Sequence, residues 1–137
     1  MANLIYPKYK EAVINGATNV DLVAGNVKVA LVDTALYTYA ASDQFYNIIS
    51  GSAIVGTPQS IAATKTVTNG LFTSTTLSVT FTGVTGATVE SLVLYIDTGT
   101  PATSRLVVYF DTVTGLTLTP NGGNVTVTFN GSGIFQL

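Results

Sequence analysis

Seven carboxylates, Glu11, Asp21, Asp33, Asp43, Glu90, Asp97 and Asp111, are the only acidic side chains in a 137-residue sequence that contains no His and no Cys. Without an imidazole base, Ser-His triads and Cys-His dyads are excluded. Zinc sites built on His or Cys are excluded too, as are disulfides. Glycoside hydrolysis needs two carboxyls about 5–9 Å apart across one cleft. Asp97 and Asp111 each end a strand of a long apolar pair. If that pair is an antiparallel hairpin, they lie at opposite ends of it. Calcium needs several oxygens close together, and no D-x-D-x-D-G loop occurs. Asp97 with the loop carbonyls up to Ser104 is the nearest approach. The expected role of Asp97 and Asp111 is to stop strands and accept turn hydrogen bonds, with Arg105 in reach of either for a surface pair worth about 0–1 kcal/mol. The glycines at 83, 86, 122 and 123 lack the G-K-[ST] ending of a phosphate loop. The sequence therefore assigns no catalytic, cofactor-binding or metal-binding residue, and the chain reads as a non-enzyme.

The remaining side chains with binding chemistry are Tyr6, Tyr9, Tyr37, Tyr39, Tyr46, Tyr95 and Tyr109. They would suit a sugar platform, or a core edge and interface, where Tyr combines buried area with one satisfiable hydroxyl. The second use is preferred. The Thr-x-Thr pieces at 117–119 and 126–128 lack the regular repetition that an ice-binding array requires.

These groups sit in a chain poor in charge. Only 9% of residues are charged and 47% are hydrophobic, against about 25% charged in an average domain. Thr fills 23 positions and supplies much of the missing polarity. A free-living protein keeps apart from its neighbours by a charged, patch-poor surface, so the leading question is what covers this one. The net charge of −2 and the scatter of Lys8, Lys10, Lys28, Lys65 and Arg105 argue against nucleic acid, which requires clustered cations. The first residues lack the basic and apolar regions of a signal peptide, and no stretch approaches 18 apolar residues, so no membrane helix is expected. Without a leader, the glycosylation patterns at Asn124 and Asn130 read as ordinary strand and turn composition.

The spacing of Tyr6, Tyr9, Ala12 and Val13, with Pro7 in the first turn and Asn15-Gly16 as a stop, predicts a helix within residues 4–14. Val27, Val29 and Leu31 predict a strand. Ser42 would cap a short helix near 42–49, and 52–62 reads as irregular around Gly56 and Pro58. From Thr64 the chain reads as almost pure β. Asn69-Gly70 is the strongest hairpin signal, Leu77–Phe81 and Val125–Phe129 alternate, and Leu116–Thr119 forms a short strand. Asn121-Gly122-Gly123 makes a turn. The expected fold is all-β, a single-domain jelly-roll-like β-sandwich over 1–137, with residues 1–16 an arm docking on the domain or on a neighbour. Residues 92–96 and 106–110 are apolar on both faces. One face must meet the core, and the other needs either the N-terminal helix and a loop, or a second subunit. The candidate protein contacts are Tyr6 and Tyr9 of the arm, Val93, Tyr95, Val107 and Tyr109 of the two-faced strands, and Phe135 and Leu137 of the apolar tail.

A family resemblance runs through nearly the whole chain in order. It is carried by Tyr6-Pro7-Lys8-Tyr9-Lys10-Glu11-Ala12, by Val27-Lys28-Val29-Ala30-Leu31-Val32-Asp33-Thr34 and by Tyr37-Thr38-Tyr39. It continues in Thr66-Val67-Thr68-Asn69-Gly70, in Tyr95-Ile96-Asp97-Thr98-Gly99-Thr100 and in Thr119-Pro120-Asn121-Gly122-Gly123. In these the sequence resembles the small virion proteins of tailed bacteriophages, some of which are similar to head cement proteins. The resemblance implies a decoration protein, made in the bacterial host cytoplasm, that binds the major capsid protein on the outer head surface as a dimer or trimer. A tail, baseplate or fibre component is the alternative, and a carbohydrate-binding module for host attachment comes third. The family often carries a His where this chain has Ser42-Asp43, so the resemblance leaves the partner contacts open.

Overall fold

The computed structural model describes residues 3–137. Among the described residues, ten short strands form three antiparallel sheets, with one α-helix. The strands are β1 (Leu4–Ile5), β2 (Asn26–Val32), β3 (Ile54–Ser60), β4 (Lys65–Thr68), β5 (Leu71–Ser74), β6 (Ser78–Phe81), β7 (Ser91–Asp97), β8 (Arg105–Phe110), β9 (Val125–Thr128) and β10 (Phe135–Gln136), and the helix is α1 (Pro7–Ile14). The sheet orders are β1-β8-β7-β2-β3, β10-β5-β4 and β6-β9. The architecture is all-β and sandwich-like, with one contiguous core running from Tyr6 to Ile134.

The five-stranded sheet explains the two-faced strands. Every residue from Ser91 to Ile96 and from Arg105 to Phe110 is buried. Residues directly opposite each other share a face. Leu31, Leu92 and Phe110 align across β2, β7 and β8, as do Val29, Leu94 and Val108. This face meets the β6-β9 sheet, where Phe129 follows β9 and lies 5.4 Å from Phe110, ring to ring. The opposite face carries Ala30, Val93 and Tyr109 in one row, and Lys28, Tyr95 and Leu106 in the next. Its cover is the chain itself. Tyr39 packs 5.4 Å from Tyr109 and 5.1 Å from Tyr6, and Tyr46 stacks on Tyr95 at 4.1 Å and 11°.

The outer edge of β8 is filled from two places. Leu4 and Ile5 pair with Tyr109 and Val108, and the Tyr6 N–H donates to the Val107 carbonyl. Farther along, Phe45 bridges to Arg105, the Leu106 N–H donates to Gln44 O, and the Tyr46 N–H to Ser104 O. An unpaired edge is a template for association, and these two segments close it.

Three expectations are corrected. The predicted helix near 42–49 shortens to one 3₁₀ turn, Tyr46–Ile48. Residues 44–46 extend to pair with β8, and only single 3₁₀ turns remain at Tyr46–Ile48 and Gly51–Ala53. Edge pairing outweighs propensity in a stretch of aromatic and β-branched residues, which are indifferent helix formers. The irregular 52–62 stretch holds β3, an edge strand whose pairing skips from Val29–Gln59 to Leu31–Val55. Gly56, at φ +70°, and Pro58 suit that bulge. The expected strand at Leu116–Thr119 contracts to one bridge between Leu118 and Val89. At the N-terminus, the helix starts at Pro7 and leaves Leu4–Ile5 as a strand. It ends at Ile14 and is closed by Gly16, φ +63°, where the Gly16 N–H bonds Val13 O and the Ala17 N–H bonds Ala12 O. That is the reciprocal closure which a left-handed glycine permits.

Candidate functional site

A buried chain of polar groups lies in the tyrosine layer over the central sheet. Loop 33–43 brings Tyr37 beneath the arm. Its hydroxyl donates to Asp43 Oδ2 at 2.7 Å and lies 2.8 Å from the Tyr6 hydroxyl. With the Tyr37 proton committed to Asp43, Tyr6 donates to Tyr37, which makes a directional chain from phenol to phenol to carboxylate. Asp43 also accepts from the Ala40 N–H. It is therefore a loop brace where the sequence suggested a helix start. Burial pushes the Tyr6 and Tyr37 hydroxyls far above the ordinary phenol range, and the Asp43 charge adds to the shift. Tyr95 is raised in the same way, first by burial and then by its stacked partner Tyr46. The Tyr9 hydroxyl donates to Val20 O and is pushed up to about 12 by burial.

This arrangement decides what each candidate contact residue can offer. Tyr6, Tyr9, Val93, Tyr95, Val107 and Tyr109 are each 5% exposed or less, inside the chain's own fold. Within the single chain these six side chains pack against the arm, the loop and the central sheet. Tyr37 is buried too, and Tyr39 lies between Tyr6 and Tyr109. The Tyr37 ring is buried, while Tyr39 keeps part of its ring exposed. Phe135 and Leu137 differ. Phe135, Phe72 and Val67 align across β10, β5 and β4. Leu137 lies two residues beyond Phe135, and its N–H is fixed on Gly70 O. Phe72 is fully buried, while Val67 and Leu137 are 47% and 50% exposed. One face of this small sheet therefore runs from core to open apolar surface.

The β7–β8 connection uses its polar groups internally. Asp97 and Asp111 do stand at opposite ends of the hairpin, since Ile96 pairs with Arg105 and Leu92 with Phe110. Asp97 accepts from the Gly99 N–H and from Ser104 Oγ, and its second oxygen lies 2.7 Å from Lys28 Nζ. Desolvation raises its pKa, but Lys28, Gly99 and Ser104 together outweigh that and hold it below the usual value. A carboxyl lowered in the folded state adds stability above its unfolded pKa and loses it as pH falls through the folded one. Acid below about pH 4 is therefore expected to weaken the fold, and D97N is expected to flatten that acid limb in urea titrations while costing less than about 1 kcal/mol at neutral pH.

Arg105 pairs with neither aspartate, contrary to expectation. It is 8% exposed, its Nε donates to Thr18 O, and its guanidinium lies 5.0 Å over the Phe45 ring. Nη1 is buried and has no hydrogen-bond partner among the described residues. The charge is thus only partly compensated, and replacing a buried ionic group by an apolar side chain of similar volume is often near neutral. R105M is therefore expected to fall within about 1 kcal/mol of the parent, whereas R105K, which keeps the charge and loses the flat contact with Phe45, is expected to cost about 1–3 kcal/mol. Equilibrium denaturation measures both. A Met variant weaker than the Lys variant would show the buried positive charge to be a net stabiliser.

A cavity of about 420 Å³ opens between the β8 end and the β9–β10 connection, lined by Asn3, Phe110, Thr112, Phe129, Asn130 and Ile134 among others. Sequence reasoning missed it, as it missed Asp43. The tyrosines clustered around position 43 were the available signal for the latter. The outer face of β6-β9 is a hydroxyl surface, with Ser78–Thr128 and Thr80–Thr126 pairs at 3.1 and 3.0 Å. Among known proteins, no family model and no curated sequence matches this chain.

Proposed function

We propose that this chain is a head-decoration protein of a tailed phage, binding the outer surface of the assembled shell and stabilising it. The observation that carries the reading is the apolar sheet face on which exposed Val67 and Leu137 flank half-buried Phe135, on a chain with few charges to protect it. Contiguous apolar surface usually marks a contact site. The ordered resemblance to small virion proteins supplies the partner class, the major capsid protein. The mechanism is mass action. A ligand that binds only the assembled state stabilises that state, and many copies, each burying on the order of 1,000 Å², act together against internal pressure. Self-association as a dimer or trimer would multiply the contacts each unit makes.

The test is co-sedimentation with purified shells and with unassembled capsid subunits. Saturable binding to shells alone is expected, and the V67D and L137D variants are expected to lose it while keeping the parent's stability. Binding to tails alone, or shell binding indifferent to both substitutions, would overturn this reading.

A further inference from the structure

We infer that Asn130 is a spontaneous deamidation site and that the fold selects it from four Asn-Gly pairs. Those pairs are Asn15-Gly16, Asn69-Gly70, Asn121-Gly122 and Asn130-Gly131. All four asparagines are exposed, so exposure does not separate them. The chemistry does. The glycine backbone nitrogen loses its proton and attacks the asparagine Cγ. The bond from Cγ to Nδ2 breaks, ammonia leaves with the proton, and a five-membered imide forms. Water then opens the imide at either carbonyl, giving aspartate or isoaspartate. The reaction consumes one water and releases one ammonia. It is helped by a free glycine N–H and by a hydrogen-bond donor on Oδ1, which polarises the carbonyl under attack.

The four sites fill the four combinations of these two conditions. At Asn15 the Gly16 N–H is held by Val13 O, and no donor reaches the side chain among the described residues. At Asn121 the Gly123 N–H sits on Oδ1 at 3.0 Å, but the Gly122 N–H is held by Val84 O at 2.8 Å. At Asn69 the Gly70 N–H has no acceptor among the described residues and Oδ1 has no donor. The turn there is pinned by Gln136 Nε2 on Asn69 O and by the Leu137 N–H on Gly70 O. At Asn130 the Ser132 N–H donates to Oδ1 at 2.8 Å, and the Gly131 N–H has no acceptor among the described residues. Only Asn130 meets both conditions. Asn121 is its internal control, with the same side-chain turn and a tethered nucleophile. The product places a new carboxylate on the lining of the 420 Å³ cavity and takes the net charge from −2 to −3, one unit lower.

Folded protein is to be incubated at about pH 9, below the tyrosine range, until a denatured sample has reacted at all four sites. Peptide mass mapping then ranks them. Asn130 is expected to react roughly tenfold faster than Asn121 in the folded chain, about the factor for releasing one hydrogen bond before attack. In the denatured chain the two are expected to react alike. G131A is expected to slow Asn130 by crowding the nucleophile. It should fold normally, because a Cβ there meets no heavy atom within 4 Å. Asn121 keeping pace with Asn130, Asn130 staying silent in the folded chain, or G131A leaving the rate unchanged would each overturn the inference.

Discussion

Replacing Tyr6 by Ala is expected to cost about 3–5 kcal/mol, the range for removing a buried aromatic ring. Tyr6 has no exposed surface, touches the Tyr39 ring and donates to the Tyr37 hydroxyl. It also stands at the junction where β1 becomes α1, so its ring anchors the arm against Tyr39 and Tyr37. The loss is a large share of a typical total of 5–15 kcal/mol. Y6F keeps the ring and gives up one hydrogen bond, for about 0.5–1.5 kcal/mol. Urea unfolding of the two variants separates packing from the phenol chain. A loss below about 1 kcal/mol for Y6A would mean that the arm is not the cover the central sheet requires. In that sample the uncovered face is also expected to drive aggregation, which light scattering would detect.

Alkali should unfold the protein in one sharp step between about pH 10 and 12. Tyr6, Tyr37 and Tyr95 are raised above the ordinary phenol value of 10.0 by burial, and Tyr9 is pushed to about 12. Each is 6% exposed or less, so solvent does little to moderate the effect. The unfolded chain ionises at the ordinary value while the folded one holds its protons. The stability from these groups is therefore complete below that value and is lost as pH rises toward the folded pKa. The slope is about 1.4 kcal/mol per pH unit for each group. Four groups remove on the order of 10 kcal/mol by pH 12, comparable with the whole stability of a domain. Phenolate absorbance and circular dichroism should change together. Gradual ionisation with the fold intact would refute the tyrosine layer as described. D43N, which keeps an acceptor but removes the charge, should move the midpoint upward.

Much of this fold was legible in local patterns. Alternation placed β2, β6 and β9, Asn69-Gly70 placed the β4–β5 hairpin, and the apolar runs placed β7 and β8. What failed were segments whose conformation depends on distant partners. Residues 44–46 carry a helix-like start but pair with the edge of β8, some 60 residues away. β3 looked irregular because its Gly and Pro serve a bulge against β2.

The same division holds for the candidate contacts. Composition alone determined that the chain has no imidazole and no thiol, that charge is scarce, and that β7 and β8 must be covered on both faces, because apolar strand faces cannot stay in water. It could not say what does the covering, since periodicity reports that a face is apolar and not what lies over it. Tertiary structure decided that. The arm and the 33–46 segment close over Tyr95 and Tyr109 within the chain, and Val67 and Leu137 are left exposed beside half-buried Phe135. Burial is a property of three-dimensional neighbours, and the residues that supply it here are separated from their targets by tens of positions in the chain.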